Sequence, residues 1–287
     1  MPVISVYRHG MACGVPPLKN DHQRAPRGDV SGWSESATRR NTRFLYSIQE
    51  HELTGYGIAV TLTLRECPPS AEVWGKLRRA WLKRMERLGL VRLHWVTEWQ
   101  RRGVPHLHGA MWFSDDVVAT HGPSRLALIA QQAWVDIAEP YGAALRGQHA
   151  RPIDGPVGWF QYLSKHAARG LRHYQRSSEN LPPEWKTKTG RMWGHTGDWP
   201  VREAIRIELQ GSQGDGGYFA WRRLVRSWRL ADARAAGEAL RVRQAKRLLR
   251  CNEEPRSRVR GLTEWIPEHV QEAMLANLAN RGYSVTC

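Results

Sequence analysis

Residues 91–113 read VRLHWVTEWQRRGVPHLHGAMWF. In a β-strand successive side chains alternate between two faces. From Val91 to Trp99, alternation puts Val91, Leu93, Trp95 and Trp99 on one face and His94, Val96 and Glu98 on the other. From His106 to Phe113 it puts Leu107, Met111 and Phe113 on one face and His106, His108, Ala110 and Trp112 on the other. The connection from Gln100 to Pro105 has the length of a hairpin loop. The stretch therefore predicts an antiparallel pair with a greasy face for helices and a more polar face that carries histidines.

Moving outward, Gly57 to Leu64 alternates as a third half-buried strand. Ser34 is placed to cap a helix over 34–49, and Pro68-Pro69-Ser70 opens one that ends near Gly89. In the latter, Trp74, Leu77, Trp81, Met85 and Leu88 recur at helical spacing, so burial is their expected role. Further helices are predicted over 124–138 and from Pro156 to Arg169. Residues 176–200 read as a loop and Ile205 to Leu209 as a last strand. The predicted class is α+β: a central antiparallel sheet with helices on one face and the histidines on the other, plus a helical C-terminal tail. Residues 1–32 are expected to be an irregular basic arm, in which Lys19, Arg24 and Arg27 are candidate DNA contacts beside their plain reading as a solvated tail. Residues 211–217 read as a linker. Residues 218–287 are predicted helical, with a long first segment to Arg250, a break at Pro255 and a helix from Pro267 to Asn280.

Bulk composition narrows the function. Lys and Arg number 43 against 27 acidic residues in 287, a net charge of +16. Such an excess suits a polyanion, and arginine suits bidentate phosphate contacts. A spanning helix needs ~20 apolar residues, and no run approaches that. The four cysteines, Cys13, Cys67, Cys251 and Cys287, form no CxxC pair. Neither a zinc ribbon nor a disulfide framework is indicated, and a reducing cytoplasm fits. No GxxxxGK[ST] loop is present, so no ATP-driven motor is evident. The chain has 14 tryptophans, enough for core packing with some left to stack on bases.

His106 and His108 are the candidate metal ligands, because two imidazoles on one strand face can grip one ion. Glu98 lies on the polar face of the preceding strand and would complete the set if the hairpin pairs as drawn. The plain alternative for Glu98 is a salt bridge to Arg101 or Arg102. Two imidazoles and one carboxylate leave positions for a phosphate oxygen and water, which suits a divalent cation acting as a Lewis acid. In the predicted helix over 156–169, Val157, Phe160, Ser164 and Ala167 form the inner side. Tyr162, Lys165, His166 and Arg169 fall on another. A phenol with a pKa near ~10 is a poor nucleophile at neutral pH. A neighbouring ammonium such as Lys165 favours the phenolate. Packing is the plain alternative for Tyr162.

Taken together, Pro105-His106-Leu107-His108-Gly109 preceded by Glu98, and Tyr162-Leu163-Ser164-Lys165 after it, resemble the motifs of the HUH endonucleases. Within that superfamily the chain is most similar to single-tyrosine rolling-circle replication initiators of plasmids and single-stranded DNA phages. Val60 to Thr63 resembles their first strand motif, and the motif order agrees. Gly190-Arg191-Met192-Trp193-Gly194 resembles a stretch of filamentous-phage initiators. The resemblance spans about residues 33–210 and implies an endonuclease domain there. It further implies that Tyr162 attacks a phosphate of single-stranded origin DNA, leaving a 5′-phosphotyrosine and a free 3′-hydroxyl. Mg²⁺ or Mn²⁺ would be held by His106, His108 and Glu98. Arg101, Arg102, Arg169 and Arg172 would contact DNA, with a solvated basic surface as the plain alternative. The implied partners are single-stranded and origin DNA and a borrowed host helicase, in a bacterial cytoplasm. Tyr174 is too far from Tyr162 for a two-tyrosine motif and is read as ordinary. Other readings are a single-tyrosine transposase or relaxase, a zinc hydrolase, or a non-catalytic basic nucleic-acid-binding module.

Overall fold

The computed structural model describes residues 3–14, 32–168, 175–177, 179, 181–210, 216–250 and 262–286. Its strands are β1 (Val3–Val6), β2 (Gly10–Gly14), β3 (Tyr56–Leu62), β4 (Leu90–Trp99), β5 (Pro105–Phe113), β6 (His149–Pro152), β7 (Trp193–Thr196), β8 (Ile205–Gln210), β9 (Leu262–Trp265) and β10 (Ser284–Thr286). Its helices are α1 (Glu35–Ser47), α2 (Ala71–Arg87), α3 (Asp115–His121), α4 (Pro123–Ala138), α5 (Pro156–Ala168), α6 (Gly216–Ala235), α7 (Ala239–Arg250) and α8 (Glu268–Asn280). Two compact units result: Ala25–Val201, and Met1–Arg24 together with Arg202–Cys287. The α+β class expected from the sequence is the class observed.

The larger unit is built on an antiparallel sheet of order β6-β3-β5-β4-β7. The quoted hairpin is its centre, with Trp99 paired to Pro105 and Glu98 to His106. Every residue of β5 is buried, so the expected greasy face is packed: Trp74 of α2 reaches Thr97 Oγ1 at 3.3 Å and Trp81 donates to Ala130 O of α4 at 2.9 Å. The helices begin where the sequence places them. Ser34 Oγ accepts from Ala37 N at 3.0 Å and Ser70 Oγ from Val73 N at 3.3 Å, each satisfying an otherwise orphan first-turn amide.

The histidine face differs from expectation, for it is covered too. Asn41 of α1 meets His94 at 2.7 Å, and Phe160 of α5 lies 6.0 Å from the Trp112 ring. The cause is aromatic content: Phe44, Trp112, Trp193 and Trp199 make this face apolar away from His106 and His108, and α1 and α5 bury it. The stretch 176–200, read as a loop, contributes the edge strand β7, four residues that are too short for alternation to show.

The smaller unit gathers segments from the beginning and the later part of the chain. The arm read as irregular carries the β1–β2 hairpin, and β8 pairs with β1 instead of extending the larger sheet. The order β10-β8-β1-β2-β9 joins both ends of the chain in one sheet. Its core holds Ile4, Met11, Ile207, Trp221, Val225 and Leu278. Strands of three to six residues give weak periodicity, and their partners lie at remote positions, so local reading misses them. The long segment to Arg250 is two helices, α6 and α7, parted at Gly237, whose φ of +67° falls in the left-handed region. Lys19, Arg24, Arg27, Tyr174, Pro255 and residues 211–215 of the linker lie outside the described residues.

Candidate active site

Register brings three ligand types together. In β5, His108 stands between Thr61 of β3 and Val96 of β4, and His106 stands opposite Glu98. His106 and His108 point the same way because one residue separates them. Their Nε2 atoms are 2.8 Å apart, and His108 Nε2 is 3.7 Å from Glu98 Oε2. All three side chains are buried, with donor atoms within 4.8 Å of one another. Burial pushes the His108 pKa down to about 4, which keeps its imidazole in the neutral form that ligates a metal. Thr61 Oγ1 meets His108 Nδ1 at 2.9 Å. With Nδ1–H donating to that hydroxyl, the Nε2 lone pair faces the cluster.

A divalent cation fits this donor set. Octahedral ligands about 2.1 Å from an ion sit about 3 Å from one another, close to the 2.8 Å between the two Nε2 atoms. Two imidazole nitrogens and a carboxylate oxygen are donors that could hold a metal ion.

Glu98 pairs with Arg176, whose Nη2 and Nε donate to Glu98 Oε1 at 3.3 and 3.4 Å, with both side chains buried. The guanidinium lies over the Trp33 ring at 4.2 Å, and Trp33 Nε1 donates to Thr97 O at 2.9 Å. Gln175 O accepts from Trp99 N at 2.9 Å, which fixes the segment carrying Arg176 to the end of β4. Thus one carboxylate oxygen is held by Arg176 and the other faces the histidines. Sequence reading missed Arg176, because its segment has no periodicity. Thr61 was read only as part of a strand, although the pairing of β3 with β5 decides its contact.

Tyr162 comes to the same place. Its ring lies 6.4 Å from that of His108, nearly perpendicular at 78°, and stacks on Trp159 at 5.2 Å. Phe160, Leu163 and Ser164 anchor α5 inward, whereas Tyr162 is 40% exposed. Its ring thus lies beside His108 with part of its surface open to solvent. Lys165 follows one helical turn later, but its side chain and that of His166 lie outside the described residues, as do Arg169 and Arg172 entirely. Arg101 is exposed in the β4–β5 turn. Arg102 is tied into the fold: it donates to Gln100 Oε1 at 2.7 Å, to Arg65 O at 2.8 Å and to Leu64 O.

An antiparallel sheet carrying a buried Glu-His-His cluster beside a half-open tyrosine defines a protein with a candidate metal site. Comparison with known proteins narrows this. The chain is 60% identical over 288 residues to a protein of Xylella fastidiosa strain 9a5c named as a replication protein, covering 100% of this chain and 99% of that one. A counterpart in strain Temecula1 is 59% identical over 267 residues, 92% of this chain and 99% of the relative. The replication-associated protein of Pseudomonas phage Pf3 is 47% identical over 286 residues, 99% of each chain. The chain belongs to this family of replication-associated proteins. No family model matches it, and no solved structure matches it. Among the described residues no helix is long and apolar enough to cross a membrane.

Proposed function

We propose that this protein initiates rolling-circle replication by nicking and rejoining single-stranded origin DNA through Tyr162. The observation that carries the reading is the meeting of Tyr162 with the Glu98–His106–His108 cluster, their nearest rings 6.4 Å apart, in a chain whose relatives are named for replication. Tyr162 Oη attacks the scissile phosphorus, an Oη–P bond forms and the P–O3′ bond breaks. The phenolic proton is lost and the departing 3′-oxygen gains one, leaving a hydroxyl that primes synthesis. Rejoining is the reverse attack by a 3′-hydroxyl, with no ATP, because the phosphotyrosine keeps the energy of the phosphodiester. His106, His108 and Glu98 would hold a divalent cation, which when bound would supply Lewis-acid polarisation of the phosphate. Lys165, one turn beyond Tyr162, favours the phenolate, and Arg101 with the wider basic surface draws in the strand.

The test is incubation with origin single strands and Mn²⁺, followed by denaturing electrophoresis for protein-linked DNA. Wild type is expected to give the adduct and Tyr162→Phe none, while strand binding persists. An adduct on the phenylalanine variant would move the nucleophile elsewhere. Binding with no adduct in wild type would favour a non-catalytic module.

A further inference from the structure

The Gly190–Gly194 motif takes no part in the site described above, yet it walls a second feature of the same unit. Where α2 meets β7, a groove of about 610 Å³ is lined by Lys76, Arg78 and Arg79 of α2, by Lys188 and Arg191 before β7, and by Trp95 of β4. Trp95 follows His94 in its strand and so faces away from the histidine side. Its indole lies across Gly194, where a Cβ would come within 2.8 Å of the ring. Arg78 stacks on that indole at 3.6 Å and donates to Arg191 O at 3.2 Å, which fixes its guanidinium plane. Glu72, the acidic group of the lining, pairs with Lys188 at 3.3 Å. Among the described residues no carboxylate pairs with Lys76, Arg78, Arg79 or Arg191. The crowding is felt electrostatically: burial first, then Arg79 and Arg191, lowers the Arg78 pKa to about 10.

We propose that this groove binds the phosphate backbone of duplex DNA beside the strand segment that Tyr162 handles. The ligand class follows from what the groove offers. It presents guanidinium and ammonium donors, the chemistry of phosphate recognition. Of its described aromatic rings, Trp74 and Trp95 are buried, and His195, paired with His94 and stacked on Phe44 at 4.1 Å, turns its ring to the other face of the sheet, so none offers the groove an open ring on which unpaired bases could stack. Single-strand grooves rely on such rings, whereas a duplex keeps its bases stacked internally and offers backbone alone. The groove lies on the α2 side of the sheet and the tyrosine on the opposite side, so the DNA held here is not the segment being cut. The inference rests on the reading of the protein as one that acts on DNA.

The experiment compares wild type with Lys76→Glu/Arg79→Glu/Arg191→Glu, three exposed positions, and with the equal-charge control Arg125→Glu/Arg223→Glu/Arg243→Glu. Folding is checked by circular dichroism, and the neutral pair Arg79→Gln/Arg191→Gln serves as a milder variant. Affinity for an origin-flanking duplex of about 30 base pairs is followed against salt by fluorescence anisotropy. The groove variant is expected to bind at least about tenfold more weakly, with a log–log salt slope shallower by about 2–3, as for loss of three phosphate contacts. Adduct formation on a short origin single strand should stay within about twofold, since positioning there is local. Unchanged duplex affinity, an equal loss in the control, or a loss confined to single strands would overturn the proposal. If wild type forms no adduct yet the groove variant still loses the duplex, the nicking reading fails and the groove stands.

Discussion

Arg176 and Glu98 form an ion pair sealed from solvent, with Nη2 3.3 Å from Oε1, at the edge of the Glu98–His106–His108 group that could hold a metal ion. Removing one partner of a buried pair leaves the other charge uncompensated, at a cost of about 3–5 kcal/mol. Arg176→Met should lower stability by that order in urea denaturation without metal. Added Mn²⁺ should recover part of the loss, because it supplies the positive charge that Glu98 has lost. The metal-induced gain should therefore be larger in Arg176→Met than in wild type. Equal gains would show that the guanidinium and the cation do not share the carboxylate.

Metal binding itself is open to a stability measurement that needs no DNA. A ligand that binds only the folded state stabilises it by about 2.7 kcal/mol at 100 times its Kd. Mn²⁺ or Mg²⁺ should raise the melting temperature of wild type, and a chelator should reverse the shift. His106→Ala and His108→Ala should abolish the shift, because each removes one of the converging nitrogens. A full shift in both variants would place the ion elsewhere.

Thr61 governs the orientation of His108 through the contact at 2.9 Å. Thr61→Val keeps shape and strand preference but loses the hydroxyl. Its expected cost is about 10- to 100-fold in metal affinity, with little change in unfolding midpoint. Thr61→Ser should restore most of the affinity in a calorimetric titration. If the valine variant binds as tightly as wild type, the hydroxyl has no role in presenting the ring.

His94 lies fully buried between Asn41 and Phe44 of α1 and His195 of β7, and burial pushes its pKa down to about 3. The unfolded imidazole has a pKa near ~6.5. Below that value the unfolded chain takes up a proton that the folded protein refuses, so stability falls as pH drops from about 6.5 towards 3. One such group contributes a slope of up to about 1.4 kcal/mol per pH unit. His108, lowered in the same direction, adds to it. Urea midpoints between pH 7 and 5 should fall less steeply for His94→Phe than for wild type. Parallel profiles would show that His94 is protonated in the fold.

The parts legible in the sequence were those with long, regular alternation. The β4–β5 hairpin, the caps at Ser34 and Ser70 and the polar face with His106, His108 and Glu98 all follow from spacing. What the sequence hid depends on partners remote along the chain. Arg176 reaches Glu98 across 78 positions, and a lone arginine in an aperiodic stretch carries no local mark. The covering of the histidine face by α1 and α5 was hidden for a related reason. Phe160 reads as an ordinary inward residue until the sheet gives it Trp112 to meet, and Phe44 finds His94 and His195 only once the sheet is assembled.

The sheet that joins β1 to β8 and β10 has a consequence for biosynthesis. Val3 pairs with Glu208, and Glu208 pairs on its other side with Thr286. A ribosome adding about 5–20 residues per second needs on the order of ten seconds or more to travel from the first partner to the second. Meanwhile the hairpin at the start of the chain exposes both of its edges, each a template for pairing with a stranger. The contiguous unit Ala25–Val201 can finish folding in that interval. The nascent protein thus passes through a stage in which its first unit is complete while the β1–β2 hairpin still waits for β8 and β9.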